Sequence, residues 1–281
     1  MKSSGILFDI EHGSFVDGPG VRTVVFFKGC NLRCAWCHNP ESQRFDPEML
    51  LYHDKCTGCG KCRAVCPSPD GCTLCGKCAL LCPHDARKIS GRAYTADEVM
   101  EDILSDLPFY ENTGGGVTFS GGECLLQPDF LEELLRRCRE AGIHTAVDTA
   151  GHVPWETFER VLPYTDLFLY DVKLFDSERH RAYTGVGNER ILDNLARLGL
   201  HGARIWIRMP VMAGVNDDEA AFAALCDWLS SHVHPERVEV LAYHTLGEHK
   251  YAALNRELTR FSPPEAEILA RLREMAAGCT F

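Results

Sequence analysis

The stretch Val21-Arg22-Thr23-Val24-Val25-Phe26-Phe27-Lys28-Gly29-Cys30-Asn31-Leu32-Arg33-Cys34-Ala35-Trp36-Cys37-His38 sets the pattern for the whole chain. Its first part is apolar and β-branched, which predicts a strand over Val21–Lys28. A C-x3-C-x2-C trio, Cys30, Cys34 and Cys37, follows at once. Three thiolates can hold three irons of a cubane and leave the fourth without a protein ligand. An open metal position is where chemistry happens, by the logic that separates catalytic from structural zinc. A chance trio, or a zinc site completed by His38, is the alternative. A trio spaced this way directly after a strand is far more specific than a lone C-x2-C.

Working outward, the same arrangement recurs five times. Strands are expected over Gly116–Ser120, His144–Asp148, Leu167–Lys173, Ile205–Met212 and Val238–Ala242. Helices are expected between them: from the Thr95–Glu98 capping box to about Leu107, then over Pro128–Ala141, Pro154–Leu162, Asn188–Leu198, Asp217–Ser230 and Pro264–Ala276. Glu132/Arg136 and Glu133/Arg137 read as i,i+4 pairs on the wet side of the second of these. Alternating strands and helices imply an α/β fold with a parallel sheet and right-handed crossovers. Six units are too few for a closed eight-fold barrel, so the expectation is a partial, open (β/α)6 TIM-like barrel. Cys138 and Cys226 lie on apolar helix faces and read as small core residues; Cys124 and Cys279 receive no role.

Sites in βα barrels are built at the carboxyl ends of the strands. There the sequence puts the cysteine trio, then Ser120-Gly121-Gly122-Glu123, Asp148-Thr149-Ala150-Gly151, Asp171-Val172-Lys173, Arg208 within the fifth strand, and Tyr243-His244. Singly each has a bland reading: a Gly-Gly turn, an Asp helix cap, a core histidine. Together they fall on one face.

Eight further cysteines interrupt this pattern. Cys56, Cys59, Cys62 and Cys66 read C-x2-C-x2-C-x3-C before Pro67, and Cys72, Cys75, Cys78 and Cys82 repeat it before Pro83. This is the ferredoxin pattern for [4Fe–4S] clusters, in which the fourth cysteine crosses to the other cluster. It assigns Cys56, Cys59, Cys62 and Cys82 to one cubane and Cys66, Cys72, Cys75 and Cys78 to the other. Structural zinc is the alternative, but it prefers well-separated pairs. The linker Pro67–Gly71 is shorter than in ordinary two-cluster ferredoxins. Residues 54–92 therefore read as an inserted domain too small to fold on an apolar core alone, within a barrel made of 1–53 and 93–281.

Composition narrows the setting. The chain has 281 residues, 45% hydrophobic and 25% charged, which is ordinary for a globular protein. Its net charge of −11 disfavours bulk attraction to nucleic acid or to an anionic membrane. No apolar run of about 20 residues is present, and Met1–Ile10 lacks a signal peptide's pattern. The expectation is a cytoplasmic protein, where 15 cysteines point to metal and not to disulfides.

Asp17-Gly18-Pro19-Gly20-Val21-Arg22, the segment Cys30–Pro40 and Tyr243-His244-Thr245-Leu246-Gly247 resemble the radical S-adenosylmethionine (SAM) enzymes that activate glycyl radical enzymes, the pyruvate formate-lyase activating enzyme family. The likeness runs along nearly the whole chain outside the insert. The insert resembles that of the subfamily serving catabolic glycyl radical enzymes: diol dehydratases, choline and isethionate lyases, aryl decarboxylases. The resemblance implies that SAM chelates the open iron of the Cys30/Cys34/Cys37 cluster. Gly121 and Gly122 would lie against its methionyl ammonium and Glu123 would add counter-charge. Lys173 and Arg208 would meet carboxylate and ribose oxygens, with Trp36, His38 and His244 around the adenine. It places a monovalent cation at Asp148, Thr149 and Asp171, and has Asp17 and Arg22 holding the partner's loop. Cys124 stands where many relatives have proline.

The implied reaction is one-electron cleavage of SAM to methionine and a 5′-deoxyadenosyl radical, which takes a hydrogen from a glycine Cα of the partner. Three [4Fe–4S] clusters would serve it, with a flavodoxin or ferredoxin as electron donor. The rivals are a radical SAM enzyme acting on a small molecule, an activator of anaerobic ribonucleotide reductase, and a plain iron–sulfur electron carrier. The first two share the trio; the third leaves the barrel motifs idle.

Overall fold

The computed structural model describes residues 3–68 and 71–279; Pro69 and Asp70 of the expected linker lie outside the described residues. The chain opens with β1 (Ser4–Ser14) and β2 (Arg22–Phe27). The stem of the insert follows as β3 (Glu48–Leu51), short helices α1 (Lys61–Ala64) and α2 (Lys77–Leu80), and β4 (Arg87–Ser90). Next come β5 (Arg92–Thr95), α3 (Ala96–Ser105), α4 (Leu107–Thr113), β6 (Gly116–Gly121) and α5 (Pro128–Glu140). The pattern continues with β7 (His144–Thr149), α6 (Trp155–Val161), β8 (Leu167–Asp171), α7 (Ser177–Thr184) and α8 (Glu189–Leu200). It closes with β9 (Ile205–Val211), α9 (Glu219–His232), β10 (Arg237–Ala242), α10 (Glu248–Ala253) and α11 (Ala266–Gly278).

The six expected strands form one parallel ribbon in chain order: β2, β6, β7, β8, β9, β10. The sheet has β10 at one edge and does not close, which is the partial barrel read from the sequence. On its other side β1 pairs antiparallel with β2, and β5 pairs antiparallel with β1. Neither flanking strand was expected: β1 carries Gly, Asp and Glu, and a bulged register breaks its alternation.

The core lies between the sheet and its helices, with Phe27, Phe119, Leu131, Phe158, Phe168 and Phe222 all essentially inaccessible. The capping box forms as expected: the Thr95 side chain accepts from Glu98 N, and Glu98 accepts from Thr95 N at 2.7 Å. Two surface readings are corrected. Glu132 turns to Arg160, 2.6 Å away, instead of Arg136, because α6 packs beside α5. Arg136 then bonds Glu133 and Glu140. Cys226 lines the core as expected, but it is also disulfide-bonded to Cys279, since α11 packs on α9.

The insert emerges on the β3–β4 stem, where Glu48 faces Ser90 and Leu51 faces Arg87. The stem is fastened to the barrel by buried charge. Lys28, fully inaccessible at the end of β2, donates to Glu41 O and reaches Glu48 at 3.3 Å, and Arg256 bonds Glu48 at 2.6 Å.

Candidate active site

The cysteine loop leaves β2 and is tied on both flanks. Gly29 N donates to Ser42 O (2.7 Å), Arg33 N to Thr184 O (2.7 Å), Ala35 N to Tyr183 O (2.9 Å), and Tyr251 Oη to Cys37 O (2.9 Å). Trp36 anchors it from below. It is buried with Leu174, Met212, Val215 and Tyr243, its ring 5.8 Å from those of Tyr183 and Phe261. Trp36 thus braces the loop in a satellite core.

Burial pushes the thiols of Cys30 and Cys34 up to about 12 and raises Cys37 as well. Glu123 and Cys34 add to the rise at Cys30, while Lys173 opposes it at Cys34 and Cys37. Left alone, three such half-buried thiols would stay protonated at neutral pH; they become thiolates only around a cation. Among the described residues no three cysteine, histidine or acidic side chains converge on a point that would hold a single metal ion.

His38 stacks on His244 with ring centroids 3.9 Å apart and an interplanar angle of 27°. Burial and the neighbouring His244 pull His38 down to about 4, so it is neutral at pH 7. Its buried Nε2 has no partner among the described residues. An unsatisfied buried polar atom is what a ligand with hydrogen-bonding groups would complete.

The Gly-Gly-Glu segment follows β6. A Cβ on Gly121 would meet Phe27 O, and one on Gly122 would meet Gly29 O. The chain's own backbone fills that side: Gly122 N donates to Phe27 O and Glu123 N to Gly29 O, both at 2.8 Å. Glycine here locks this segment to the cysteine loop. Glu123 is 1% exposed and turns inward. It accepts from Thr149 Oγ1 (2.8 Å), Ala150 N (3.0 Å) and Leu125 N (3.3 Å), which ties the ends of β6 and β7 together. Burial raises its carboxyl to about 7 in spite of these bonds. Cys124, inaccessible behind it, lies 3.4 Å from Phe119 O and acts as a space-filling thiol.

Charge gathers at the ends of the next strands. Lys173 Nζ bonds Asp171 at 2.6 Å. Arg208 lies 3.4 Å from Asp148 and 3.5 Å from Asp17, with its Nε buried and without a partner among the described residues. Ser120 donates to Asp148 at 2.6 Å. Burial opposes the charge of Lys173 and Arg208, but the surrounding carboxylates prevail and both are raised. Asp148 is pushed up to about 6, first by burial and then by Asp171 and Asp17 against Arg208. The Thr149 hydroxyl of the expected cation site donates to Glu123.

Asp17 and Arg22 part company. Arg22 is 0% exposed. It donates to Thr118 Oγ1 (2.6 Å), Val117 O and Pro19 O (3.1 Å), and burial lowers its pKa to about 10. A side chain so enclosed does not touch an arriving loop; it holds the 17–20 turn from beneath. This corrects its expected direct contact. Asp17 stays at the rim, accepting from Ser14 Oγ at 2.6 Å.

In the insert, one cavity of about 280 Å³ is lined by Cys56, Cys59, Cys62 and Cys82. A second, of about 410 Å³, is lined by Cys66, Cys72, Cys75 and Cys78, with Cys62 at its edge. Sequence reasoning passed over Arg87 (which lines both cavities) and Lys250, whose ammonium bonds Glu41 and Asn39 at 2.7 Å beside the cysteine loop. Neither sits in a recognisable motif.

Comparisons define the class. The family model described as the radical SAM superfamily matches residues 24–226. The chain is 40% identical to the trans-4-hydroxy-L-proline dehydratase activating enzyme of Clostridioides difficile over 96% of both proteins. It is also 40% identical to the choline trimethylamine-lyase activating enzyme of Oleidesulfovibrio alaskensis, covering 92% of this chain and 89% of that one. A crystal structure of a domain of pyruvate-formate lyase-activating enzyme from Bacteroides vulgatus is 35% identical, with a TM-score of 0.51 over 59% of this chain and 94% of that chain. A radical SAM methyltransferase from Sphaerobacter thermophilus, 14% identical, shares the fold with a TM-score of 0.57 over 97% of this chain and 74% of its own.

The chain belongs to the radical SAM superfamily and, within it, to the activating enzymes of glycyl radical enzymes. Membership brings SAM and a [4Fe–4S] cluster with it. No helix among the described residues is long and apolar enough to cross a membrane.

Proposed function

We propose that this enzyme installs the glycyl radical on a catabolic glycyl radical enzyme, using the Cys30/Cys34/Cys37 cluster for catalysis and two further cubanes in the insert. The observation that carries it is the set of three half-buried thiols on the loop after β2, with the charge of Lys173 acting on Cys34 and Cys37. Cys30, Cys34 and Cys37 would hold the cluster, which when bound would supply the one-electron chemistry for SAM cleavage and hydrogen abstraction from the partner's glycine.

The chain's own groups orient and shield that chemistry. Lys173 and Arg208 offer positive charge to the SAM carboxylate and ribose oxygens. The stacked His38–His244 pair offers a flat surface, and His38 a free Nε2, to the adenine. Glu123 and Thr149 hold the wall behind the Gly-Gly segment. Asp17, steadied by Arg22 beneath the turn, meets the partner's glycine loop at the unclosed side of the sheet. A monovalent cation near Asp148, Thr149 and Asp171 belongs to the same reading, because Asp17, Asp148 and Asp171 outnumber Lys173 and Arg208.

The insert takes one electron at a time from a flavodoxin or ferredoxin. Its surface supports this. Leu80 (87% exposed) and Leu81 sit bare beside exposed Lys61, Arg63 and Lys77, and such a patch suits a small acidic carrier. Cytoplasmic anaerobic conditions fit oxygen-labile clusters.

The test is anaerobic incubation of the reduced, iron-loaded enzyme with SAM and a panel of glycyl radical dehydratases, lyases and decarboxylases. A glycyl doublet in electron paramagnetic resonance with one of them is expected. SAM cleavage with a small-molecule product and no doublet anywhere in the panel would overturn the reading.

A further inference from the structure

The two insert cavities share a wall made by Cys62, Arg63 and Arg87. Arg63 is exposed on α1, whereas Arg87 comes from the stem strand β4, opposite Leu51, and is half-buried between the cavities. Arg87 shares the wall of both cavities with Cys62, and the wall of the second with Cys78 as well. Among the described residues no carboxylate pairs with it, so its natural counter-charge is sulfur. Cys62 belongs to one ligand set and Cys78 to the other.

We propose that Arg87 is the electrostatic bridge between the two insert clusters, one planar donor fork hydrogen-bonded to a ligand sulfur of each. The inference rests on the reading that the insert holds two cubanes. A cubane with four thiolates is an anion, and reduction makes it more so. A fixed positive charge and N–H···S bonds favour the reduced state and raise the potential. A single fork serving both clusters also keeps their potentials together. An electron delivered by the external carrier then reduces one cubane from the 2+ to the 1+ state. Its onward transfer reoxidises that cubane and reduces the other, with no bond broken and no proton moved. Arg87 is a positioning and tuning residue and touches no substrate.

The test is a redox titration of the anaerobic, fully loaded enzyme followed by electron paramagnetic resonance, comparing wild type, Arg87→Met and Arg87→Lys. For Arg87→Met the equilibrium constant for reducing each insert cluster is expected to fall about tenfold, which is ~59 mV for one electron. The Cys30/Cys34/Cys37 cluster should not move. Lysine keeps the charge but can reach only one sulfur, so one insert cluster should recover and the other stay displaced. Unchanged insert potentials in both variants, with all clusters present, would overturn the proposal. So would an equal shift of all three clusters, which marks a general disturbance. Should Arg87→Met fail to assemble its insert, the lysine variant decides alone: displacement of one cluster is expected, and none refutes. Iron and sulfide analysis of the wild type separates the premise from the inference; fewer than three cubanes there removes both.

Discussion

Replacing Glu123 with glutamine should change how stability depends on pH, by an amount its surroundings set. The carboxyl is 1% exposed and faces a hydroxyl and two backbone N–H groups. Burial raises it from 4.5 to about 7. The native state therefore keeps a proton that the unfolded chain releases across this window. The resulting stability is fully present below pH 4.5, is lost as pH rises toward 7, and changes no further above it. At about 1.36 kcal/mol per pH unit, the whole loss is roughly 3 kcal/mol. Some of it has gone by pH 5.5, leaving roughly 2 kcal/mol between pH 5.5 and 8. Glutamine has nothing to ionise there. Its NH2 cannot accept from the Ala150 or Leu125 amide, a constant penalty of about 1–3 kcal/mol. Anaerobic thermal unfolding of both proteins, at matched cluster content, should show the wild type's advantage shrinking by roughly 2 kcal/mol from pH 5.5 to 8. Parallel curves would refute the assignment of a buried, protonatable Glu123.

Gly122→Ala should cut SAM cleavage by at least about tenfold, because its Cβ must push the cysteine loop off the β6 end; timed 5′-deoxyadenosine assays read it. Arg22→Met frees the 17–20 turn without touching the thiols. It should therefore lower glycyl radical yield while leaving uncoupled SAM cleavage near wild type; equal loss of both would show that Arg22 supports the cluster itself. Lys28→Met removes the buried ammonium between β2 and the stem and should cost about 1–3 kcal/mol in thermal unfolding. Cys75→Ala should erase an insert-cluster signal yet retain SAM cleavage with a strong chemical reductant. Loss of all iron would contradict separate roles.

The parallel ribbon was legible because most of its strands are short apolar runs, several of them β-branched, followed by a polar motif, a signal that local sequence carries by itself. The β1 and β5 flank was hidden: β1 is polar and bulged, and β5 has only four residues and gains order from pairing. The cysteine sets were readable from spacing, since ligand loops are local. Orientation was not. Nothing local distinguishes an Arg22 that reaches outward from one enclosed by Thr118, Val117 and Pro19, or a Glu123 facing ligand from one facing Thr149. Those directions depend on strands far apart in sequence. The same holds for Cys226–Cys279 and for Arg87 between two cavities.

The central claim is that the three thiols of the β2 loop, and not those of the insert, carry the cluster that cleaves SAM. Its most direct measurement is 5′-deoxyadenosine formed by anaerobically reduced wild type and Cys34→Ala, each given the nucleotide and the same reductant. The wild type should form it, and the variant should form none while keeping its insert iron. Nucleoside from the alanine protein at the wild-type rate would contradict the account.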